Sequence, residues 1–291
     1  MANRRVLVKR RKAVRNIRKI TRTMQLIATA RFQAAYNRAV ATRPYTEKLA
    51  ELVADLSRAA GDVEHPLLKT HDEVPRSALV VLTSDRGLAG GYNANVLRAA
   101  LNHLGEQSAR SVTADVHMVG KKGIAYFRFL RRAMGEQTSG IGDKPRFEQV
   151  EPIANALMDR FVRGEIAAAH VAYMKFLSAG QQRPAVVQLL PLAPEAGAAG
   201  EAKATPVEYE FSPEPRQILD ELLPATVRAR LFQAFNDAAV SEQVARMIAM
   251  KAATDAAGDM IKALTRQYNR ARQTQITMEL LDIVGGANAL S

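Results

Sequence analysis

The N-terminal arm decides the architecture, and its residues 14–35 read VRNIRKITRTMQLIATARFQAA. Apolar and small residues recur in this stretch at steps of three and four, which predicts a long helix with a coiled-coil type of packing seam. The residues of the predicted seam are Leu7, Val14, Ile17, Ile20, Met24, Ile27, Arg31, Ala34 and Ala35. The pattern resumes after Pro44, which is expected to kink the helix or mark a short break, and it stops at Gly61. The arm spans about 55 residues, or roughly 80 Å, which no single globular core could enclose.

A second long helix is predicted at the other end of the chain. The sequence Ser-Pro-Glu at residues 212–214 is a typical helix start, and Gly285 with Gly286 is a typical end. Between Ala234 and Ala263, ten of thirty residues are alanine. Alanine favours helix, and its small side chain lets a facing helix approach closely. The two terminal helices are therefore predicted to pair.

The register of this pair follows from where the helices join the central part of the chain. If they leave one face of it near residues 58 and 212 and run antiparallel, residue i lies beside about residue 270 − i. Ile20 then meets Ala249 or Met250, and Met24 is level with Arg246 and Met247. The last helical stretch, of about 20 residues, is expected to continue without a partner from this chain.

The middle of the chain alternates between strand-like and helix-like segments. Strands are predicted at Ser77–Thr83, Ala114–Val119, Ala167–Phe176, Ala185–Leu192 and Val207–Phe211, and helices at Asn93–Gln107, around Ile124–Leu130 and at Val150–Arg163. This alternation indicates an α/β layer with a mostly parallel sheet. The predicted fold class is a small α/β, Rossmann-like domain at 75–211, inserted between the helices of a long antiparallel coiled coil at 1–60 and 212–286.

The composition is that of a soluble protein with an unusual distribution of charge. The 291 residues include no cysteine, which excludes disulfides and zinc–thiolate sites and favours a reducing compartment. Of the net charge of +12, the first 46 residues carry thirteen Lys or Arg and no acid. This basic arm lacks the serines of a transit peptide and the interleaved aromatics of a single-strand nucleic-acid binder. Its helical periodicity favours contact with acidic protein surfaces, with a basic coiled-coil scaffold for nucleic acid as the alternative.

One glycine-rich turn deserves comparison with phosphate-binding loops. Residues 84–93, SDRGLAGGYN, follow a predicted strand and precede a predicted helix, where α/β proteins hold phosphates. However, Gly87, Gly90 and Gly91 do not fit G-x-G-x-x-G, and no G-K-[ST] follows. A sharp strand-to-helix turn with positive φ explains these glycines more simply. The five histidines have no metal-ligand spacing. We therefore predict no catalytic residue, no cofactor and no metal.

Four separate motifs carry a family resemblance: residues 17–31 (IRKITRTMQLIATAR), the turn at 84–93, residues 241–255 (SEQVARMIAMKAATD) and residues 268–280 (YNRARQTQITMEL). In this order they resemble the gamma subunits of bacterial F-type ATP synthases. The resemblance implies a non-catalytic rotating shaft inside a ring of alpha and beta subunits. It also implies that the α/β domain contacts the epsilon subunit and the c-ring, on the cytoplasmic side of the inner membrane. Membrane contact would come only through partner subunits, and no nucleic acid would be bound.

The resemblance also suggests which residues make subunit contacts. Met24 matches a shaft residue near loops of the beta subunits, and Arg246 matches one that meets an acidic beta loop. Three further matches, Arg272, Gln273 and Thr277, belong to the upper contact. The resemblance also implies that the turn with Asp85, Arg86 and Gly87 shapes the central domain. The apolar C-terminal tip, which includes Leu281 and Ile283, has no expected partner within the chain and should sit in an apolar sleeve formed by other subunits.

Overall fold

The structure, a computed structural model, describes residues 4–59, 65–71, 73–192 and 215–289. The first and last elements in the sequence are two long helices, α1 (Arg4–Ala59) and α5 (Pro215–Ala289). Between them lie β1 (Arg76–Leu82), α2 (Tyr92–Ala109), β2 (Thr113–Val119), α3 (Lys121–Phe129), β3 (Gln137–Thr138), α4 (Phe147–Val162), β4 (Ala168–Ser178) and β5 (Gln181–Leu190). The chain divides into two compact units, Ala30–Ala245 and Met1–Thr29 with Arg246–Ser291.

The larger unit, Ala30–Ala245, contains a five-stranded sheet in the order β3-β2-β1-β4-β5. The strands from β3 to β4 are parallel, and β5 pairs antiparallel with β4. Strand β1 is apolar because both of its faces are covered, as expected for a parallel sheet with helices on each side. The predicted mixed fold with a mostly parallel sheet is confirmed, and the two-residue strand β3 is an addition that the sequence pattern did not indicate.

Helices cover both faces of this sheet and form two cores. On one face, Val80 and Leu82 of β1 pack with α4 and with the segment of α5 that carries Leu223 and Leu231. On the other face, Leu79 and Val81 pack against α2 and α3. Because side chains alternate along β1, its residues contribute to two separate hydrophobic cores. On one of the two faces, α5 takes the place of a helix that would cover a free-standing α/β domain.

In the smaller unit, α1 and α5 lie side by side and antiparallel. The Thr254 hydroxyl donates a hydrogen bond to Oγ1 of Thr21 at 2.8 Å. The Arg18 side chain lies against Gly258, and the Arg11 guanidinium lies over the ring of Tyr268, 4.9 Å from its centroid. As the residue number falls along α1 it rises along α5, which confirms the predicted antiparallel pairing.

The predicted seam of α1 is confirmed at Leu7 and Ala35 but wrong at its isoleucines. The buried positions of α1 that repeat every seven residues are Leu7, Thr21, Ala28, Ala35, Leu49 and Leu56. By contrast, Ile17, Ile20 and Ile27 are about half exposed, with Ile20 at 59%. At the centre of the pair, small residues such as Thr21 and Ala28 are therefore buried, because they allow the two backbones to approach, while the neighbouring isoleucines face outward.

The predicted register is also wrong, by about five residues or more. Thr21 lies beside Thr254 rather than beside a residue near 249. Ala249 is consequently not the partner of Ile20, and Met24 is not level with Arg246. The expected register depended on the residues at which the two helices meet the central part of the chain. Of these, α1 runs to Ala59, one residue past the expected junction, and the expected junction of α5 near residue 212 lies outside the described residues.

The long helices also differ from the prediction at Pro44 and at their ends. Pro44 lies inside α1 without interrupting it, and α5 continues through Gly285 to Ala289. Glycine weakens a helix by about 1 kcal/mol but ends it only where a C-cap conformation forms. The predicted strand at 207–211 and the predicted helix start at 212–214 lie outside the described residues.

Candidate functional site: the glycine-rich turn and the exposed helix positions

The turn after β1 is held by a compact hydrogen-bond network. The backbone N–H of Ser84 donates to Oδ1 of Asn93 at 2.9 Å, and Nδ2 of Asn93 donates to Oγ of Ser84 at 2.8 Å. The Ser84 hydroxyl in turn donates to the carbonyl oxygen of Arg86 at 2.6 Å. The end of β1 is thereby tied to the first turn of α2, which rigidifies the loop between them.

Positive φ occurs in this turn at different positions from those predicted. Gly90 has φ +54°, as expected, but the second residue in this conformation is Leu88 at +64°. Gly91 is at −81°, and Gly87 is not in the left-handed region. Only one of the three glycines therefore meets the conformational need that the sequence suggested.

Asp85 occupies the position where an α/β protein would hold an anion. Its Oδ1 accepts a hydrogen bond from the N–H of Lys121 at 3.1 Å, and its Oδ2 accepts one from the N–H of Gly140 at 2.9 Å. Lys121 is the first residue of α3, whose N-terminus carries partial positive charge. The carboxylate of Asp85 thus takes donors that could otherwise bind a phosphate.

The space at this edge of the sheet is too small for a nucleotide. A cavity of about 40 Å³ lies between the ends of β1 and β2, and residues Phe235, Ala238 and Glu242 of α5 form one of its walls. Ligand pockets usually have volumes of roughly 300–1,000 Å³. In this fold, α5 fills the crevice in which doubly wound proteins bind their ligands.

Thr83 is a structural residue of the site that sequence reasoning missed. Its hydroxyl donates to the carbonyl oxygen of Val119 at 2.7 Å and accepts from the N–H of Gly123 at 2.9 Å. A Cβ on Gly123 would lie 2.6 Å from this hydroxyl. The signal that could have found the contact is the glycine itself, since glycine is unfavourable in a short helix unless something packs against it.

The histidines form no metal centre in the part of the chain that the structure describes, where no cluster of three or more potential ligands occurs. The rings of His103 and His170 lie 4.5 Å apart. Burial lowers the pKa of His170 to about 4, with a further contribution from the nearby positive charge of His103 when protonated. Burial also lowers the pKa of His103, against the opposing effect of Glu106. These imidazoles are therefore neutral near pH 7 and belong to the packing between α2 and β4.

The residues suggested as subunit contacts fall into two environments. Arg246 is buried, and Met24 is partly buried. The others, Arg272, Gln273, Thr277, Leu281 and Ile283, lie on a stretch of α5 from 272 to 285 in which every residue is exposed. The Thr277 hydroxyl donates to the carbonyl oxygen of Gln273 at 3.0 Å, within the helix. Ile283, at 73% exposure, is the most exposed apolar residue of this stretch.

Within the described residues, no helix is both long and apolar enough to cross a membrane. A family model described as ATP synthase matches residues 3–290. A gamma chain of ATP synthase from Rhodopirellula baltica is 45% identical over 294 residues, covering 100% of this chain and 99% of the relative. The gamma chain from Dehalococcoides mccartyi is 42% identical over 293 residues and is covered completely, as is this chain.

Solved structures support the fold. The structure of the Euglena gracilis mitochondrial ATP synthase with OSCP, F1 and c-ring contains a chain that matches 99% of this one, with 94% of its own length covered. The TM-score is 0.66 at 17% sequence identity, so this likeness concerns the fold alone. From the full-length sequence matches, the chain belongs to the family of ATP synthase gamma chains.

Proposed function

We propose that this chain is the central rotor shaft of an F-type ATP synthase, coupling proton flow through the membrane sector to ATP synthesis or hydrolysis at the alpha and beta subunits. The observation that carries the proposal is full-length membership in the gamma chain family. In this role the terminal segments, 1–60 and 212–286, form the shaft, and the central domain, 75–211, contacts the epsilon subunit and the c-ring. The chain itself is a non-catalytic subunit.

The exposed apolar residues of α1 support a surrounding partner. Ile17, Ile20 and Ile27 follow one another at steps of three and seven, so they lie near one face of the helix. Leu26 is also more than half exposed. Contiguous apolar surface of this kind usually marks an interaction site. The basic residues on the same helix suit acidic loops, with which exposed ion pairs of roughly 0–1 kcal/mol each could be exchanged during rotation.

The C-terminal tip supports the same role. Leu280, Leu281, Ile283 and Val284 are all exposed, and all belong to the helix that extends beyond the paired segment. We infer that an apolar sleeve of the alpha and beta ring receives them. We propose five further contact residues from the motif matches alone: Met24, Arg246, Arg272, Gln273 and Thr277.

The localisation that follows is peripheral, at the cytoplasmic side of the inner membrane, through the partner subunits. The alternative of a nucleic-acid scaffold is not retained, because the gamma chain relatives align with the whole chain. Purification from the host at two salt concentrations tests this choice. A fixed complex with larger subunits is expected at both, whereas nucleic-acid binding would decline steeply with salt.

A pair of substitutions in the tip tests the shaft assignment. Leu281→Asp with Ile283→Asp places two charges in the proposed sleeve, and should strongly reduce incorporation into the complex. A control with the same added charge, Gln267→Asp with Asn269→Asp, changes exposed polar positions of the same helix. Both variants should unfold at the temperature of the unmodified free chain, since none of the four side chains is buried.

Two results would contradict the assignment. One is normal incorporation of the tip variant, and the other is an equal loss of incorporation in the control. The free chain is also expected to show no ATP turnover, measured in a preparation freed of its partners. Turnover abolished by substitutions in residues 85–93 would mean that the glycine-rich turn is catalytic.

A further inference from the structure

The loop between β3 and α4 contains an aspartate, Asp143, that contacts both long helices. The guanidinium of Arg31, on α1, forms an ion pair with its Oδ2. Nη2 of Arg38, also on α1, donates to its carbonyl oxygen at 2.8 Å. Nε2 of Gln243, on α5, donates to its Oδ1 at 2.8 Å. All of these residues belong to the unit Ala30–Ala245.

The same loop is also tied to the glycine-rich turn. The N–H of Gly140 donates to Asp85, and Nη1 of Arg86 lies 4.0 Å from Oδ2 of Asp143. Residues 140–143 therefore connect the end of β1 with α1 and α5 through polar contacts. We call this arrangement, formed by Arg31, Arg38, Asp143 and Gln243, the Asp143 clamp.

The chemistry of the clamp differs from that of the surrounding contacts. Elsewhere in the unit, α5 packs on the sheet mainly through apolar side chains such as Leu231 and Ala234, with one buried hydrogen bond from the Ser241 hydroxyl to the carbonyl oxygen of Met174 on β4. The hydrophobic effect itself is non-directional, so the relative position of the packed surfaces depends on side-chain shape and on directional polar contacts. Hydrogen bonds and ion pairs weaken steeply as their geometry is distorted. The clamp is therefore suited to hold the helices against sliding.

Burial makes the clamp sensitive to such a displacement. The side chain of Asp143 is 20% exposed, and Gln243 is fully buried. Nε of Arg38 and Oε1 of Gln243 are buried without a hydrogen-bond partner among the described residues. One is a donor and the other an acceptor, and both side chains already bind Asp143. A displacement that broke the remaining contacts would leave further buried polar atoms without partners, which is costly in a low-dielectric interior.

We propose that Asp143 is the positioning residue through which torque passes between the α/β domain and the two shaft helices. The proposal rests on the proposed rotor function and adds the point at which the domain is locked to the shaft. Sequence reasoning did not single out this residue. The signal in the sequence was an isolated acid after two glycines, in Gly140-Ile-Gly-Asp143.

The test compares Asp143→Asn with Asp115→Asn in the assembled complex. Asp115 pairs with Arg160 inside the α/β domain, between β2 and α4, and its side chain is 34% exposed. It is a matched control because it removes one aspartate–arginine pair without reaching α1 or α5. Membrane vesicles containing each complex are assayed for ATP hydrolysis and for ATP-driven proton pumping, and the free chains for thermal unfolding.

We expect Asp143→Asn to keep hydrolysis but to lower proton pumping per ATP by about fivefold, the low end of ordinary coupling between sites. Asp115→Asn should leave this ratio unchanged, even if both substitutions lower the unfolding temperature equally. Asp143→Glu, which keeps the charge, should restore most of the pumping. If Asp143→Asn does not assemble, Arg31→Gln removes the ion pair from the other side and should lower the ratio in the same way.

An unchanged pumping ratio in Asp143→Asn, or in the Arg31→Gln complex used in its place, would overturn the proposal. An equal fall in Asp115→Asn would overturn it too, because the effect would then reflect stability alone. These outcomes differ from a failure of the rotor function. That failure would appear in the unmodified chain, as absence from a pumping complex.

Discussion

Replacing Gly123 by alanine should destabilise the free chain, although alanine is the better helix former. A Cβ at this position of α3 would lie 2.4 Å from Sδ of Met118 and 2.6 Å from Oγ1 of Thr83. The Met118 side chain has some freedom to move. Thr83 does not, because its hydroxyl is held by Val119 and by the N–H of residue 123 itself. The added methyl group therefore has to displace the helix or break the Thr83 hydrogen bonds.

The magnitude follows from two opposing effects. Overpacking in a close-packed core costs about 1–3 kcal/mol, and the change from glycine to alanine in a helix contributes about 1 kcal/mol in the opposite direction. We expect a net loss of up to about 2 kcal/mol in the free energy of unfolding. Gly105→Ala in α2 is the matched control, because a Cβ there would meet nothing within 4 Å. It should gain about 0.5–1 kcal/mol.

Urea denaturation of the free chain, followed by circular dichroism, measures both variants against the unmodified chain. The midpoint should fall for Gly123→Ala and rise for Gly105→Ala. A rise for both would show that helix propensity outweighs packing at Gly123, and that the space beside Thr83 is larger than the structure indicates. A fall for both would refute the reasoning on propensity.

Two further predictions concern the helix pair and the buried imidazoles. Thr21→Cys with Thr254→Cys should form a disulfide readily in this cysteine-free chain, because the two hydroxyl oxygens lie 2.8 Å apart. Ile20→Cys with Ala249→Cys should cross-link poorly when both variants are compared on a non-reducing gel. The reverse result would restore the register expected from sequence. The pKa of His170 is lowered to about 4 from 6.5, so the folded state disfavours its charged form. The free energy of unfolding is therefore unaffected by this residue above pH 6.5. As the pH falls from 6.5 towards 4, it should decrease by up to about 3 kcal/mol. His170→Gln should flatten this part of the stability–pH curve, and an unchanged slope would mean that the imidazole is hydrated.

Most of the secondary structure could be predicted from local pattern. Strand β1 was recognisable because an uninterrupted apolar run is needed where both faces of a strand are buried. The pairing of the terminal helices was recognisable because neither is short enough to bury its apolar residues in a globular core. Strand β5 (Gln181–Leu190) was also predicted, at Ala185–Leu192, but its antiparallel pairing with β4 was not. The two-residue strand β3 lacked such a pattern, since an edge strand has fewer constraints on its side chains.

The packing of α1 shows where local pattern was insufficient. Its sequence offers a stripe with Ile17, Ile20 and Ile27 and another with Thr21 and Ala28, and both repeat at helical spacing. Periodicity identifies apolar positions, but it does not say whether the surface that covers them belongs to the same chain or to a partner. The larger residues appeared to be the better core, whereas the structure places the smaller ones against α5.

The amino-acid sequence by itself determined the helices, the α/β layer, the absence of thiol chemistry and the family motifs, because each of these depends on residues close together in the chain. Only the tertiary structure decided the register of α1 against α5, the hydrogen bonds of the Asp85 carboxylate to backbone N–H groups and the contacts of Asp143. Each of these depends on groups far apart in sequence, such as Asp143 and Gln243, which are 100 positions apart. Their geometry is set by the packing of the two cores, which no local pattern specifies.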